Sequence, residues 1–217
     1  MNEQIQFCRL PLSFTEELIR FVVKENYQHH GVRRSTEERE AEIAMLCEEE
    51  SQYTDSQIFA AISDHTLCGS IRICRKLPGQ VLPLEKLYAL DVNALTAERS
   101  TIYHIGRFAV SKGADRCGMR IFRTLMALAL NIADQDHEGT VFAECDSRLL
   151  RTVRHLGIEA QIIGEPMLCL GSETVPVRMS RESYQKFFSK NKALLLDEKQ
   201  LRVCSLTKQP FYECLPS

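Results

Sequence analysis

The order of predicted elements between residues 102 and 144 constrains the fold more than any other feature of the sequence. Ile102 to Val110 (IYHIGRFAV) has the β-branched and aromatic composition of a strand, and Thr140 to Glu144 is a second, shorter apolar run. Between them lie a loop and a helix whose apolar residues recur at spacings of four, three and four: Ile121, Leu125, Leu128 and Ile132. A helix that connects two strands in this way makes a βαβ unit, so the strands are expected to be parallel neighbours.

The remaining predicted strands favour antiparallel pairing. Ile58 to Ile62 and Leu67 to Cys74 are joined by the short turn Ser63-Asp64-His65, which indicates a hairpin. Ile5 to Leu10 is expected to open the sheet. Two further strands are expected later in the chain, at Ile158–Ile163 and Val175–Met179. The predicted fold class is therefore α+β, with a mixed, mostly antiparallel sheet flanked by helices.

Capping signals predict where the first two helices begin. Each signal is a serine followed three residues later by a glutamate: Ser13 with Glu16, and Ser35 with Glu38. Ser147 to His155 is a basic amphipathic stretch, and Ser180 to Phe188 predicts a late helix. Leu84 to Asn93 is ambiguous between a short helix and coil.

Length and composition indicate one folded domain. The chain has 217 residues, of which 44% are hydrophobic and 26% charged, close to ordinary globular usage. We expect one domain over residues 1–190 and a C-terminal extension over residues 191–217 that packs on it, because the tail is polar with only isolated apolar residues.

Charge, cysteine spacing and hydropathy exclude several classes of function. The net charge is −2, so no global field favours nucleic acid or an anionic membrane. The nine cysteines contain no C-x-x-C pair, which disfavours a disulfide framework and a zinc site, and no metal is expected. No apolar run reaches about 18 residues, and the first residues lack the pattern of a signal peptide. We therefore expect a cytoplasmic protein without an integral membrane segment.

The loop after the first strand of the βαβ unit is a candidate phosphate site. It contains Gly113 and Gly118, which allow sharp turns, and it leads into a helix whose first N–H groups attract anions. Lys112, Arg116 and Arg120 add positive charge. The alternative is an ordinary strand-to-helix turn with solvated basic residues.

The order of these elements resembles the GNAT superfamily, in which this loop binds the pyrophosphate of coenzyme A or the phosphopantetheine of a carrier protein. The family signature Q/R-x-x-G-x-G/A falls on DRCGMR (residues 115–120), where Arg120 replaces a small residue. This departure counts against free acetyl-CoA. The resemblance implies a splayed central pair of parallel strands and the following donor-binding residues: Val110, Lys112, Arg116, Gly118, Met119 and Arg120.

Several segments resemble the acyl-homoserine-lactone synthases and the related N-acyl amino acid synthases. They are, in chain order, YTDSQIF (53–59), GSIRI (69–73), LPLE (82–85), HIGRFAVSK (104–112) and RTVRHLGIEAQIIGEP (151–166). The likeness covers roughly residues 20 to 180. It implies transfer of a fatty acyl chain from acyl carrier protein, or from acyl-CoA, to the amino group of an amino acid or similar amine. No permanently bound cofactor is expected.

His104 and Gly106 depart from that pattern, since they stand where these relatives have a glutamate and a serine. The glutamate is regarded as a base or water-orienting group, and a histidine can serve as a base. The alternative is a neutral histidine that is merely hydrogen-bonded in the sheet. Regular alternation would place His104, Gly106 and Phe108 on one face and Arg107 on the other, unless a β-bulge intervenes.

Arg72 and Arg107 stand in otherwise apolar strands and need partners, because an unpaired buried charge is costly. Asp55 and Glu144 are the candidate partners. The two arginines either brace the site or bind the carboxylate of the acceptor. Glu144 is expected near the thioester, whereas the adjacent cysteine is disfavoured as a nucleophile because no base is tied to it. The predicted catalytic set is His104, Arg72, Arg107, Glu144 and Asp55.

Two other functions remain open from the sequence. One is an acetyl-CoA-dependent N-acetyltransferase, and the other is a non-catalytic GNAT-fold protein that binds acyl groups or a partner. The basic residues of the predicted helix over 147–155 could dock an acidic acyl carrier protein, although a solvated helix face explains the same charges. The residues of this docking patch are Arg148, Arg151 and Arg154 together with Lys112 and Arg116 of the loop after the first strand of the βαβ unit.

Overall fold

A single mixed sheet organises the computed structural model, which describes residues 5–114, 119–169, 171–194 and 201–203. Within these ranges the sheet has eight strands in the order β1-β2-β3-β4-β5-β8-β6, and β7 also pairs with β8. The strands are β1 (Gln6–Leu10), β2 (Ser56–Ser63), β3 (Thr66–Arg75), β4 (Ile102–Val110), β5 (Thr140–Asp146), β6 (Gln161–Ile162), β7 (Met167–Cys169) and β8 (Ser172–Ser180).

Helices cover both faces of this sheet. Those within the described ranges are α1 (Thr15–His30), α2 (Thr36–Ser51), α3 (Pro83–Tyr88), α4 (Arg120–Asp134), α5 (Ser147–His155) and α6 (Arg181–Lys190). Short 3-10 turns lie at Leu12–Phe14 and Lys192–Leu194. None of the helices in this part of the chain combines the length and the apolar character that crossing a membrane requires.

The parallel pair at the centre of the sheet separates before either strand ends. β4 and β5 pair in parallel from Ile102↔Thr140 to Ile105↔Ala143, yet β4 continues to Val110 and β5 to Asp146. The neighbouring pairs, β3 with β4 and β5 with β8, are antiparallel. The predicted fold class, with its splayed parallel pair, is confirmed.

A β-bulge in β4 lies beside this separation. Ser70 pairs with Ala109 and Arg72 with Gly106, so one residue of β3 faces two residues of β4. Arg107, one of those two, has a positive φ of 51°. The extra residue breaks the regular alternation of side chains, because residues on either side of a bulge no longer keep the same parity.

Two apolar layers hold the helices to the sheet. On one face the stripe of α4 packs against Phe59, Ile71 and Ile105, and on the other face Leu18 and Val22 of α1 pack against β1, β2 and Ala109. Burial of one such aliphatic side chain contributes about 1.5–3 kcal/mol. The sheet is consequently fixed from both sides, and its polar residues that face α2 are enclosed.

Most predicted elements are present, with differences at their ends. The capping box of Ser35 and Glu38 is confirmed. The box predicted at Ser13 and Glu16 is wrong, because α1 begins at Thr15 after a 3-10 turn and its N-cap, Phe14, has no side-chain hydrogen bond. β6 is two residues long and β7 was not predicted.

The described part of the C-terminal extension contacts the domain. Arg9 on β1 donates its backbone N–H to the carbonyl of Arg202 at 3.0 Å and forms an isolated parallel bridge with Val203. Leu194 and Leu201 pack against the core beside α4.

Candidate active site

A cavity of about 630 Å³ lies where β4 and β5 separate. Its polar walls come from β3, β4, β5 and the last turns of α2, and include Glu49, Arg72, His104, Arg107 and Glu144. Its apolar walls come mainly from α4, α5 and β8, and include Phe122, Met126, Leu149, Val153 and Met179. The volume is that of a site for a small molecule or cofactor.

His104 and Glu144 connect the two separating strands. Nε2 of His104 lies 2.9 Å from Oε2 of Glu144. The histidine side chain is 2% exposed, whereas that of the glutamate is 17% exposed and lines the cavity. The carboxylate is therefore the member of this pair that a ligand in the cavity can reach.

The surroundings of His104 act on its protonation in opposite directions. Burial lowers the pKa of the ring, but the Glu144 carboxylate and hydrogen bonding raise it more strongly, to about 9. On the other side of the ring, Nδ1 lies 3.1 Å from Nη1 of Arg72. Guanidinium nitrogens can only donate, so this contact is a hydrogen bond when Nδ1 carries no proton. In the neutral ring the proton is thus on Nε2 and points to Glu144.

Arg72 is completely buried and occupies the centre of the polar wall. Its Nη2 donates to Oε1 of Glu50 at 3.1 Å, and its Nη1 contacts Sγ of Cys74 at 2.7 Å. The ring of Tyr53 lies 5.3 Å below the guanidinium carbon. Glu50 supplies the counter-charge that a buried arginine requires, and both terminal nitrogens have partners, whereas Nε has no hydrogen-bond partner among the described residues.

The bulge turns Arg107 to the same side of the sheet as Arg72. Nε of Arg107 donates to Oε1 of Glu50 at 2.8 Å and Nη2 donates to Oε2 of Glu49 at 2.7 Å. Phe108 points to the other side, where its ring packs edge-on against Phe122 of α4. Regular alternation therefore does not hold at this point, and the alternative left open from the sequence, a β-bulge, is the one observed.

Glu50 is the functional residue that sequence reasoning missed. Its Oε1 accepts hydrogen bonds from both arginines, and although burial acts to raise its pKa, Arg72 and Arg107 hold that pKa below its ordinary value. A signal was present: α2 ends in three consecutive glutamates with no basic residue in the last turn. Carboxylates are unfavourable at a helix C-terminus, which suggests that they are needed elsewhere.

Asp55 is not part of this arrangement. It is exposed before β2, and its backbone carbonyl accepts from the N–H of Arg75. The predicted pairing of Asp55 with an arginine is wrong, because Glu49 and Glu50 fill that role. Glu144, the other candidate partner, is hydrogen-bonded to His104 instead.

The loop after β4 is partly occupied by groups of the protein itself. The N–H of Ser111 donates to the carbonyl of Cys68, and that of Ala114 to the carbonyl of Ser111. The N–H of Lys112 and the hydroxyl of Ser111 donate to the carboxylate of Glu25, which is 3% exposed. These amides are therefore already engaged.

The predicted donor-binding residues divide into three groups. Val110 lines the cavity. Lys112 and Arg120 are exposed, and Met119 packs partly against the core beside α4. Arg116 and Gly118 lie outside the residues that the structure describes.

Two small residues near the site have clear structural reasons. A Cβ on Gly106 would lie 3.2 Å from Nη2 of Arg72 and 3.3 Å from Cε1 of His104, so glycine leaves room for both side chains. Cys145 lines the cavity, but burial, together with neighbouring carboxylates, raises the pKa of its thiol to about 12. Because a thiol in that state is a poor nucleophile, an acyl-enzyme at Cys145 is disfavoured.

The sequence matches one family and no individually curated protein. The sequence model of N-acyl amino acid synthase FeeM matches residues 19–181. No curated protein sequence matches the chain.

Solved structures of similar fold include the following three. FeeM, an N-acyl amino acid synthase from uncultured soil microbes, has a TM-score of 0.63 at 15% identity and covers 88% of this chain and 98% of its own. TofI, in a ternary complex with an inhibitor and MTA, has a TM-score of 0.56 at 18% identity, covering 90% and 98%. BjaI, a CoA-dependent acyl-homoserine lactone synthase with SAM and isopentyl-CoA, has a TM-score of 0.53 at 15% identity, covering 88% and 90%.

Proposed function

Because this chain belongs to the FeeM family of N-acyl amino acid synthases and is a GNAT-type acyltransferase, we propose that it transfers a fatty acyl group from acyl carrier protein, or from acyl-CoA, to the amino group of an amino acid or similar amine. One observation carries this proposal. The cavity at the separation of β4 and β5 joins the polar pair His104 and Glu144 to an apolar chamber beside α4.

The apolar chamber suits an acyl chain that is longer than acetyl. Phe122, Met126 and Met179 line it, and each buried methylene of a bound chain contributes about 0.8 kcal/mol. An acetyl group would leave most of this surface without a partner. The chamber therefore favours the fatty acyl donor over an ordinary acetyltransferase.

The polar end of the cavity offers separate groups for the two ends of an amino acid. Glu144 can accept a hydrogen bond from the amino group and hold it near the thioester. Nη1 of Arg107 has no hydrogen-bond partner within the described part of the chain, and Lys86 also lines the cavity. Both can receive the carboxylate of the acceptor.

The reaction that this arrangement supports is direct aminolysis of the thioester. The amine nitrogen attacks the thioester carbonyl carbon, the new C–N bond forms and the C–S bond breaks. The amine loses a proton to the Glu144 side of the His104–Glu144 pair, and the departing pantetheine thiolate takes up a proton to become a thiol. Glu144 acts here as the base, and His104 orients its carboxylate.

The carrier-protein form of the donor is supported by the face of α5 beside the cavity. Arg148, Arg151 and Arg154 are exposed along this helix, and Arg148 reaches the cavity mouth. Such a face complements an acidic carrier protein. Glu25 opposes a phosphate at the first amides of the loop after β4, and this repulsion is greater for a pyrophosphate than for a phosphodiester.

The test is to supply the purified chain with acyl carrier protein, CoA thioesters and amino acids, and to measure amide products by mass spectrometry. We expect N-acyl amino acids from the long-chain donors, and their loss in His104→Ala and Glu144→Gln. Glu173→Gln is the control, because Glu173 is an exposed residue of β8. Product formation from acetyl-CoA alone would contradict the fatty acyl donor. Tight binding of acylated carrier protein without any product would indicate a non-catalytic binding protein.

A further inference from the structure

Cys74 is the residue directly opposite His104 in the sheet. The two are Cα partners in the antiparallel pairing of β3 with β4, and both side chains contact the same nitrogen of Arg72: Nη1 lies 2.7 Å from Sγ of Cys74 and 3.1 Å from Nδ1 of His104. Cys74 is 1% exposed. Cys74 is therefore a buried thiol directly beside the His104–Glu144 pair.

The charges around the Cys74 sulfur favour its ionised form. Nη1 of Arg72 lies 2.7 Å from Sγ. Burial alone would raise the pKa of this thiol, but Arg72 and His104 lower it to below its ordinary value. At Cys145 burial and the carboxylates of Glu144 and Asp146 have the opposite effect and raise the pKa of the thiol.

Nδ1 of His104 becomes a hydrogen-bond donor when the ring takes up its second proton, and it then needs an acceptor. Arg72 can only donate to the ring, whereas the sulfur of Cys74, which lies 2.7 Å from the same Nη1 of Arg72, can accept a hydrogen bond. Glu144 occupies the other nitrogen. Glu50 accepts hydrogen bonds from Arg72 and from Arg107, and no hydrogen bond joins Glu50 or Arg107 to the ring among the described residues.

We propose that Cys74 is a positioning residue that shares one proton with Nδ1 of His104, so that Glu144, His104 and Cys74 form a single chain of proton-holding groups leading from the cavity into the sheet. In one state the sulfur carries the proton and the ring is neutral. In the other the proton has moved to Nδ1, and the resulting thiolate is balanced by the Arg72 guanidinium. The proton is conserved in this exchange, and no oxidant or other reactant is needed.

With the sulfur of Cys74 beside it, the His104 ring is more readily protonated than a histidine that lies only between a carboxylate and an arginine. Without the sulfur, a second proton on Nδ1 would point at Arg72 and meet only donors. The role of this shared proton in catalysis rests on the proposed function, because the charge of His104 acts on the neighbouring Glu144 carboxylate. The sharing of the proton is a property of the folded protein and is measurable without any substrate.

The experiment is an NMR titration of the His104 ring in the full chain, in the wild type and in Cys74→Ala, Cys74→Ser and Cys68→Ala. Cys68 is a buried thiol on the same strand that packs in the core cluster beside α4, so it is the matched control. We expect the wild-type ring to keep its second proton to about pH 9. In Cys74→Ala the ring should lose it at least about one pH unit lower, whereas Cys68→Ala should match the wild type.

Cys74→Ser keeps an acceptor that does not ionise, so it should fall between the wild type and Cys74→Ala. Identical titration of His104 in the wild type and in both Cys74 variants would overturn the proposal. So would an equal shift in Cys68→Ala, because it would show a general effect of repacking. An inactive enzyme in which His104 and Cys74 still share the proton would count against the proposed function alone. The same shift in the pH–rate profile of an active enzyme would support both.

Discussion

Nε2 of His104 on β4 lies 2.9 Å from Oε2 of Glu144 on β5, across the point at which the two strands stop pairing. In the parallel register His104 is opposite Phe142, so Glu144 lies two residues further along its strand. The contact forms beside the opening rather than within the paired part of the sheet. The Glu144 carboxylate therefore lies at the edge of the cavity, and its hydrogen bond to His104 fixes its orientation.

Replacement of the Glu144 carboxylate should mainly affect the chemical step. We expect Glu144→Gln to lower kcat by about 10²-fold or more, because an amide cannot accept the proton of the amine. The KM for the acyl donor should change little, since the proposed site of the acyl chain is the apolar chamber. Steady-state kinetics with a long-chain donor measure both, with Glu173→Gln as the control. A variant with full kcat would exclude Glu144 as the base.

The pair of His104 and Glu144 should make stability depend on pH. The folded-state pKa of His104 is about 9, above its ordinary value of 6.5. The charged pair therefore stabilises the fold fully below about pH 6.5, and this contribution is lost as the pH rises through about 9. The difference in unfolding free energy between the wild type and His104→Gln, measured by urea denaturation, should shrink over that interval. A constant difference from pH 6 to pH 10 would contradict it.

Removal of Glu50 should be strongly destabilising. Glu50→Ala leaves the fully buried Arg72 without its carboxylate, and breaking a buried pair in this way costs about 3–5 kcal/mol. Glu48→Ala, two residues earlier on the exposed side of α2, should change the free energy of unfolding by about 0.5 kcal/mol or less. Chemical denaturation of the two variants provides the comparison. Equal stability would mean that Arg72 finds another counter-charge.

The length of the acyl chain should depend on Met126. Met126→Trp fills part of the chamber beside α4, so each methylene that no longer fits should weaken donor binding by roughly fourfold. We expect the preferred chain to become shorter while transfer from a short-chain donor is retained. Competition among donors of increasing length, followed by mass spectrometry, measures the shift. An unchanged preference would place the acyl chain elsewhere.

Charge reversal on α5 should distinguish the two donors. Arg151→Glu should raise the KM for acyl carrier protein and leave the KM for acyl-CoA unchanged, because Arg151 is exposed and lies outside the cavity lining. The effect should become smaller as salt is added. If both donors respond equally, the α5 face does not dock a carrier protein.

The sequence was sufficient to predict the βαβ unit and its parallel pair, because these depend on local periodicity and on the handedness of crossovers. It named His104 and Glu144 as candidate site residues, but it offered Glu144 as a partner for the arginines rather than for His104. It could not show that Glu49 and Glu50 neutralise the two arginines, since this requires the packing of α2 across the sheet. Asp55 was one of two candidate partners, yet its side chain is exposed. The faces of the sheet on which Arg107 and Phe108 lie differ from regular alternation, because the extra residue of the bulge changes the parity of the side chains.

The extra residue in β4 determines two properties of the molecule: the ion pairs of Arg107 and the bend of β4 where it leaves β5. A chain shortened by one residue at Arg107 would restore an even ladder with β3, and the side chain that now faces Glu49 would be lost. The ion pairs with Glu49 and Glu50 would lose Arg107, and β4 would at the same time lose its bend where it separates from β5. Relatives that keep the opening are thus expected to keep the insertion, whatever residue occupies it, and a deletion there should abolish both together.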